Sequence, residues 1–196
     1  MSSVRHHHQR HLVAGVLLLL VALAWPTSAP AAKTTKAERA LANLQAQHRE
    51  AHRLFADDLE RIAQTCEANG LKAIAPRIRQ LAESVDPEVL RFEPLPREVQ
   101  PALPVDPNGG FSWQAELRAH RKEYAAELDK FATQAAKAGL PSYAYQLIRE
   151  VAFHDPDHAR ARRLLGFVRH KDEWVSPFES AKLKKNEVWT DRKSVV

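Results

Sequence analysis

Two segments of the chain align without a gap when the sequence is shifted by 69 residues. The shared positions are an apolar stripe, a turn glycine and a terminal Asp-Pro, which are the features that define a helical hairpin. An internal repeat of this kind is typical of stacked helical units. We therefore predict an all-α fold built on two equivalent hairpins. The aligned pairs are Leu59 with Leu128, Gly70 with Gly139, Ala75 with Ala144, and Pro87 with Pro156.

Apolar spacing predicts the helices of each hairpin. Residues 33–69 contain neither proline nor glycine, and their apolar residues recur three, four and seven positions apart, as on one face of a long helix. Gly70 ends this helix and a shorter one is expected at about 73–85. The second copy predicts a long helix at 112–138 and a shorter one from Pro141 to about Phe153.

Proline content and helix signals divide the rest of the chain. The six prolines of residues 86–110 predict an extended crossover. After Pro156 we expect a helix with Leu164, Leu165 and Val168 facing inward, a tight charged turn, and a capped final helix from Ser176 to about Lys185. The predicted segments are a signal peptide (1–31), the first hairpin (32–87), the crossover (88–111), the second hairpin (112–156), a partial C-terminal helix–turn–helix element (157–190) and a tail (191–196).

The first 31 residues have the pattern of a secretory signal peptide. A basic leader precedes 14 apolar residues, Leu12–Trp25, and an A-x-A site predicts cleavage near Ala31. The apolar run is shorter than the roughly 20 residues of a membrane span, so the mature chain is expected to contain no transmembrane segment. Export to the periplasm, cell envelope or extracellular space makes nucleic acid an improbable partner. Removal of the leader would lower the formal charge from +5 to +3.

Both copies resemble tetratricopeptide repeats (TPR), a family of helical hairpins of about 34 residues that end in proline. The resemblance covers residues 55–87 and 124–156. It implies binding of a protein or peptide in a groove between helices. The long first helices and the crossover depart from that family, so a solenoid and a compact four-helix arrangement both remain open. The matching positions are Leu59, Ile62, Ala63, Gly70, Ala75 and Ala82, and then Leu128, Phe131, Ala132, Gly139 and Ala144.

The histidines of the chain raise the question of a metal site. FHDPDH (153–158) is interpreted as a joint, because Asp155 occupies the position of Asp86 in the first copy and aspartate caps helices. His48 and His52 stand four apart on one helix, but without the H-E-x-x-H order or an evident third ligand. We interpret them as a solvated face and expect neither metal nor cofactor.

No catalytic motif is evident in the sequence. It contains no G-x-S-x-G, no glycine-rich phosphate loop and no paired-carboxylate motif. The lone Cys66 aligns with Ala135, so we expect a buried core residue rather than a nucleophile. A basic cluster after the second hairpin has two interpretations: a solvated helix face, or a surface for an anionic partner such as an envelope polymer or an acidic protein segment. Its members are Arg160, Arg162, Arg163, Arg169 and Lys171.

The sequence thus favours a non-catalytic exported helical-repeat module that binds an unknown protein or peptide, in an unknown oligomeric state. One alternative is the accessory helical region of a secreted hydrolase whose catalytic domain lies downstream, and another is a structural spacer. The last six residues, Asp191–Val196, resemble the translation of a sequencing adapter. This resemblance predicts that the chain is the N-terminal fragment of a longer protein.

Overall fold

The computed structural model describes residues 35–103, 110–185 and 187, and its fold is all-α, as predicted. It also contains one small antiparallel sheet, which the sequence analysis did not predict. The predicted signal peptide and the adapter-like tail lie outside these residues. The helices are α1 (Lys36–Ala68), α2 (Ala75–Leu81), α3 (Pro87–Phe92), α4 (Trp113–Lys137), α5 (Pro141–His154), α6 (Ala159–Leu164) and α7 (Pro177–Lys184), and the strands are β1 (Val168–His170) and β2 (Glu173–Val175).

The two long helices end in the same way. The backbone of Gly70 has φ +79°, and Leu71 N–H donates back to the Cys66 carbonyl over 2.8 Å. In the second copy Gly139 has φ +75°, and Leu140 N–H donates to the Ala135 carbonyl over 2.9 Å. A left-handed glycine followed by this six-to-one hydrogen bond stops a helix and turns the chain. The repeat predicted from the sequence therefore has a common backbone geometry at both turns.

Packing of the hairpins buries the leucines and alanines among the predicted repeat positions. Helix α1 packs against α2 and α4, and α4 packs against α5, so the first helices of the two hairpins lie side by side. Leu59 and Leu128 are both fully buried in the resulting core. Ala75 and Ala144 are buried as well, where their small side chains let the second helix of each hairpin approach the first. Pro156 is buried, whereas Pro87 is exposed at the start of α3.

The connection between the hairpins differs from the prediction. Helix α2 ends at Leu81 rather than near residue 85, and the crossover contains the short helix α3, which packs on α5. Proline density argues against helix in general, but Pro87 occupies the first helical position, where its missing N–H costs nothing. Arg149 of α5 holds the end of α3, because its Nε and Nη2 donate to the Leu90 carbonyl and Nη2 also donates to the Glu93 carbonyl over 2.6 Å.

The C-terminal element is a hairpin of strands followed by a helix. Strands β1 and β2 pair with Val168 opposite Val175, and Lys171 takes the left-handed conformation (φ 54°) in the turn between them. Ser176 Oγ accepts from Glu179 N–H over 3.1 Å and caps α7, as expected. Leu164 was predicted to face inward and is instead 58% exposed, while Leu165 packs against the core.

The crossover joins this element through the backbone. Trp174 N–H donates to the Arg97 carbonyl over 2.7 Å, and Val99 N–H donates to the Asp172 carbonyl over 2.9 Å. Residues 97–99 thus run along the free edge of β2 and satisfy backbone groups that an edge strand would leave unpaired. Within residues 35–103 and 110–185, none of the helices combines the length and apolar character that a bilayer span requires.

Candidate functional site

A groove runs between the first helices of the two hairpins. Its floor is the stacked pair Phe55 and Tyr124, whose ring centroids are 4.5 Å apart with the planes 7° from parallel. Leu54 and Ala51 of α1 form an apolar wall, and Leu54 is 52% exposed. The volume is about 300 Å³, which is large enough for one or two side chains of a partner. We refer to this feature as the α1–α4 groove.

The rim of the α1–α4 groove is acidic. Asp58, Glu123 and Glu127 line it together with His120. Asp58 lies 3.0 Å from the His120 ring and pairs with Arg61, and Glu127 pairs with Lys130. Glu123 has no ion-pair partner among the described residues. An apolar floor within an acidic rim suits an apolar side chain that is flanked by a positive charge.

Beneath the floor, a polar cluster fixes Tyr124; we call it the His48 cluster. The Tyr124 hydroxyl donates to Glu150 Oε1 over 3.0 Å. His48 Nε2 lies 3.1 Å from the Tyr124 hydroxyl and 3.2 Å from Glu150 Oε1, and His48 Nδ1 lies 3.2 Å from the Tyr143 hydroxyl. These four residues come from α1, α4 and α5, so the cluster connects both hairpins directly below the α1–α4 groove.

The pKa shifts in the His48 cluster keep each group in the protonation state that its hydrogen bonds require. Burial, with the negative charge of Glu150, raises the pKa of Tyr124 far above its ordinary value and that of Tyr143 to about 12. Burial opposes ionisation of Glu150, but its hydrogen bonds with His48 and Tyr124 keep its pKa below the ordinary value. The phenols therefore stay protonated as donors and the carboxylate stays ionised as an acceptor, which holds Tyr124 in one orientation.

The ring of His154 packs against both rings of the groove floor. It is 5% exposed and meets Phe55, Tyr124 and Phe153 edge-on, with centroid distances of 5.1, 4.9 and 5.0 Å. Burial and then the positive charge of Arg121 lower its pKa to about 3. His154 is therefore a neutral core residue at physiological pH.

The joint predicted at FHDPDH is present, but its cap is a different residue. His158 is the residue before α6, and its Nδ1 accepts from Ala161 N–H over 3.3 Å. Asp155 Oδ1 instead accepts from Asp157 N–H over 3.3 Å and stabilises the turn. The prediction that Asp155 caps the next helix is wrong because two further residues, Asp157 and His158, separate Pro156 from α6.

His48 and His52 were predicted to form a solvated face, and the structure corrects this interpretation. His48 belongs to the polar cluster, and His52 meets the Tyr124 ring edge-on with a centroid distance of 6.2 Å. Among the described residues, no three His, Cys, Asp or Glu side chains are grouped so that they could hold a metal ion. Cys66 is fully buried, as expected, and burial raises the pKa of its thiol, which disfavours the reactive thiolate.

The basic cluster predicted after the second hairpin does not form one surface. Arg162 is fully buried and donates to the carbonyls of Pro156 (2.5 Å) and Pro96 (2.7 Å). Arg160 pairs with Asp129 of α4. Of the predicted set, Arg163, Arg169 and Lys171 remain exposed. Arg162 cannot serve an anionic partner, because its guanidinium holds the crossover and the joint together.

The guanidinium of Arg162 also lies against two aromatic rings. It is 5.5 Å from the Phe167 ring centroid and 5.4 Å from that of Trp174. Asp157 completes the arrangement, because its Oδ1 accepts from Trp174 Nε1 over 2.9 Å and its Oδ2 accepts from Gln100 N–H over 3.0 Å. Arg162 and Asp157 therefore hold the crossover, the joint and the C-terminal hairpin together.

Acid should destabilise the protein through His154. Its folded pKa of about 3 lies below the ordinary 6.5, so the unfolded chain takes up a proton that the folded chain excludes as pH falls through this interval. The charged or titratable groups that act on it are Arg121, His48 and His52, which disfavour its protonation, and Glu150, which favours it. We expect His154 to account for a loss of about 2 kcal/mol of unfolding free energy between pH 7 and pH 5.

The variant His154→Phe separates this effect from general acid denaturation. Urea unfolding at pH 7 and at pH 5 should show that the variant loses less unfolding free energy between the two pH values than the parent does. This holds whatever the absolute stability of the variant. Equal losses in the two proteins would show that His154 does not carry the acid sensitivity.

The 69-residue repeat contains a signal for the floor of the groove. The 69-residue shift places Phe55 on Tyr124, and these two rings stack on each other because α1 and α4 are neighbours. The His48–Glu150 pairing gave no signal of its own, since 102 positions separate the two residues. Comparisons of this chain with protein-family models, with curated proteins and with solved structures yield no match.

Proposed function

We propose that this chain is a non-catalytic, exported helical-repeat module that binds a protein or peptide segment in the α1–α4 groove. The observation that carries the proposal is the groove itself. It combines an apolar floor, an exposed leucine and a pre-ordered tyrosine between two long helices. Export rests on the leader sequence, and binding between helices is what the resemblance to tetratricopeptide repeats implies.

The occupant is a segment with an aliphatic or aromatic side chain next to lysine or arginine. The apolar side chain covers Leu54 and the floor ring of Phe55, and the positive charge meets Glu123 on the rim. Charge complementarity across such a rim selects partners and speeds their association. The His48 cluster already holds the Tyr124 side chain in one orientation, so binding does not carry the free-energy cost of ordering it.

Selection from a random hexapeptide display library on the full chain tests the proposal. We expect enrichment of peptides with Leu, Ile, Phe or Trp beside Lys or Arg. Leu54→Ser should weaken binding of the enriched peptides by about fivefold to tenfold. Burying a fully exposed leucine contributes about 1.5–3 kcal/mol, and Leu54, at 52% exposed, has about half of this still to gain. The matched control is Leu164→Ser, which alters a similarly exposed leucine of α6 that does not line the groove, and it should leave affinity unchanged.

A charge reversal tests the role of the rim. Selection on the Glu123→Lys variant should enrich fewer basic peptides than selection on the parent. Selection on the Glu83→Lys variant, which alters an exposed residue after α2, should enrich the same peptides as the parent. Failure to enrich any peptide would favour a structural spacer. Enriched peptides that bind the Leu54→Ser variant as tightly as the parent would place the binding surface elsewhere.

A further inference from the structure

The α1–α4 groove continues into a second depression between the same two helices. Asp58 and His120 line both, so the two adjoin. The second depression has a volume of about 520 Å³, and its lining includes the buried side chain of Ile62. Together they form what we call the α1–α4 channel, which runs along α1 from Ala51 to Ala68. At the rise of an α-helix this span is about 25 Å long.

The two walls of the α1–α4 channel run antiparallel. Phe55 stacks on Tyr124, and Asp58 lies 3.0 Å from His120, so residue numbers rise along α1 as they fall along α4. The side chains of Asp58 and His120 are only 28% and 29% exposed. This pair therefore lies low between the two depressions, and a partner can pass above it.

The crossover at Pro101 is held on a different side of α4. Arg118 Nη1 donates to the Pro101 carbonyl over 2.8 Å. Glu116 lines the second depression and precedes Arg118 by two positions, so it points from nearly the opposite side of the helix. The α1–α4 channel is therefore clear of the crossover at this point.

The spacing of contacts along the α1–α4 channel matches an α-helix. Lining residues of α1 recur every three or four positions, so they are about 5.4 Å apart. A helix lying alongside presents side chains at the same interval, whereas alternate residues of a strand are about 6.7 Å apart and drift by about 4 Å over three intervals. Both walls are helices, so they offer no sheet edge to an extended backbone. The lining residues are Ala51, Leu54, Asp58, Arg61, Thr65 and Ala68.

Carboxylates stand one turn away from the apolar part in both directions. Asp58 follows Leu54 by one turn of α1, and Glu127 follows Tyr124 by one turn of α4, which runs the other way. Glu123 lies between them on the α4 wall. A cation one turn from an apolar side chain on a partner helix therefore meets a carboxylate whichever way that helix runs.

We propose that the partner segment is an amphipathic α-helix of about four to five turns, which lies along the α1–α4 channel. Its apolar side chain covers Leu54, and a lysine or arginine stands three or four positions away. This inference rests on the proposed function and specifies the conformation and length of the partner.

Fluorescence anisotropy with labelled peptides of about 18 residues tests the proposal on the full chain. The probe peptide has a helix-forming background of alanine and glutamine and carries leucine and lysine four positions apart. Its comparison peptide differs by one central proline, which breaks a helix. We expect saturable one-to-one binding of the probe and at least about tenfold weaker binding of the proline form. A probe that does not saturate, or equal affinities of the two peptides, would overturn the proposal.

A block in the second depression tests the length of the occupant. Ala68→Trp places a bulky side chain at the far end of the α1–α4 channel and should weaken the probe by about tenfold. Hexapeptides anchored at Leu54 do not reach Ala68, which is about 20 Å away along α1, so their affinity should not change. The matched control is Ala136→Trp, which alters an exposed alanine in the last turn of α4 outside both depressions and should affect neither ligand.

Two results separate the helical occupant from the groove itself. Hexapeptides that bind, together with a probe that is insensitive to proline or to Ala68→Trp, would rule out the helical occupant and leave the proposed function in place. If neither the hexapeptides nor the probe bind the chain, the proposed function fails and the helical occupant fails with it.

Discussion

Replacing Arg162 by methionine should lower the free energy of unfolding by about 3 kcal/mol. Methionine fills much of the same space, but it leaves the carbonyls of Pro156 and Pro96 without a donor. An unpaired buried polar group costs about 1–3 kcal/mol. Part of this cost is offset, because the variant no longer buries a desolvated positive charge. Loss of the contacts with Phe167 and Trp174 increases the cost. Urea denaturation followed by circular dichroism measures the difference.

Arg163→Met is the matched control for this substitution. Arg163 is the next residue of α6 and is exposed, so its replacement should change the unfolding free energy by no more than about 0.5 kcal/mol. Equal stabilities of the two variants would mean that the buried guanidinium does not fasten the crossover to the C-terminal element.

The second large effect is expected at the equivalent leucines of the two hairpins. Leu59→Ala and Leu128→Ala should each lower the unfolding free energy by about 2–5 kcal/mol, because each leaves a cavity in a fully buried position. The same denaturation measurement applies to both variants, and similar losses are expected because the two residues are equivalent in the repeat.

Leu164→Ala serves as the control for the core substitutions. This leucine is 58% exposed, so its truncation should cost far less than either core change. Near-zero effects at both Leu59 and Leu128 would refute the shared core of the two hairpins.

The parts of the fold that local sequence determines were predictable. The spacing of apolar residues identifies α1 and α4, and the two glycines at positive φ mark where both end. Ser176 and Pro177 mark the start of α7. Each of these signals acts within a few residues of the feature it specifies, through backbone hydrogen bonds or steric limits on φ.

The candidate site depends on contacts between distant residues, and these could not be predicted. His48 appears on a polar stretch of α1 and becomes half-buried only because Tyr143 and Glu150 of α5 reach it. Arg162 shows no sign in the sequence of being buried, since arginine is normally a surface residue. Its burial follows from the two carbonyls and two rings that the crossover and the C-terminal hairpin bring around it.

The backbone pairing of residues 97–99 with Asp172 and Trp174 has a consequence for the order of folding. A chain that emerges N-terminus first, from the ribosome or across a membrane, exposes the crossover before its pairing partners have emerged. The first hairpin has its own local contacts and can form early, whereas residues 97–99 must wait for about 75 further residues. Until the β1–β2 hairpin has formed, the backbone of residues 97–99 therefore remains accessible to proteases and chaperones. Pairing with this hairpin ends that exposure.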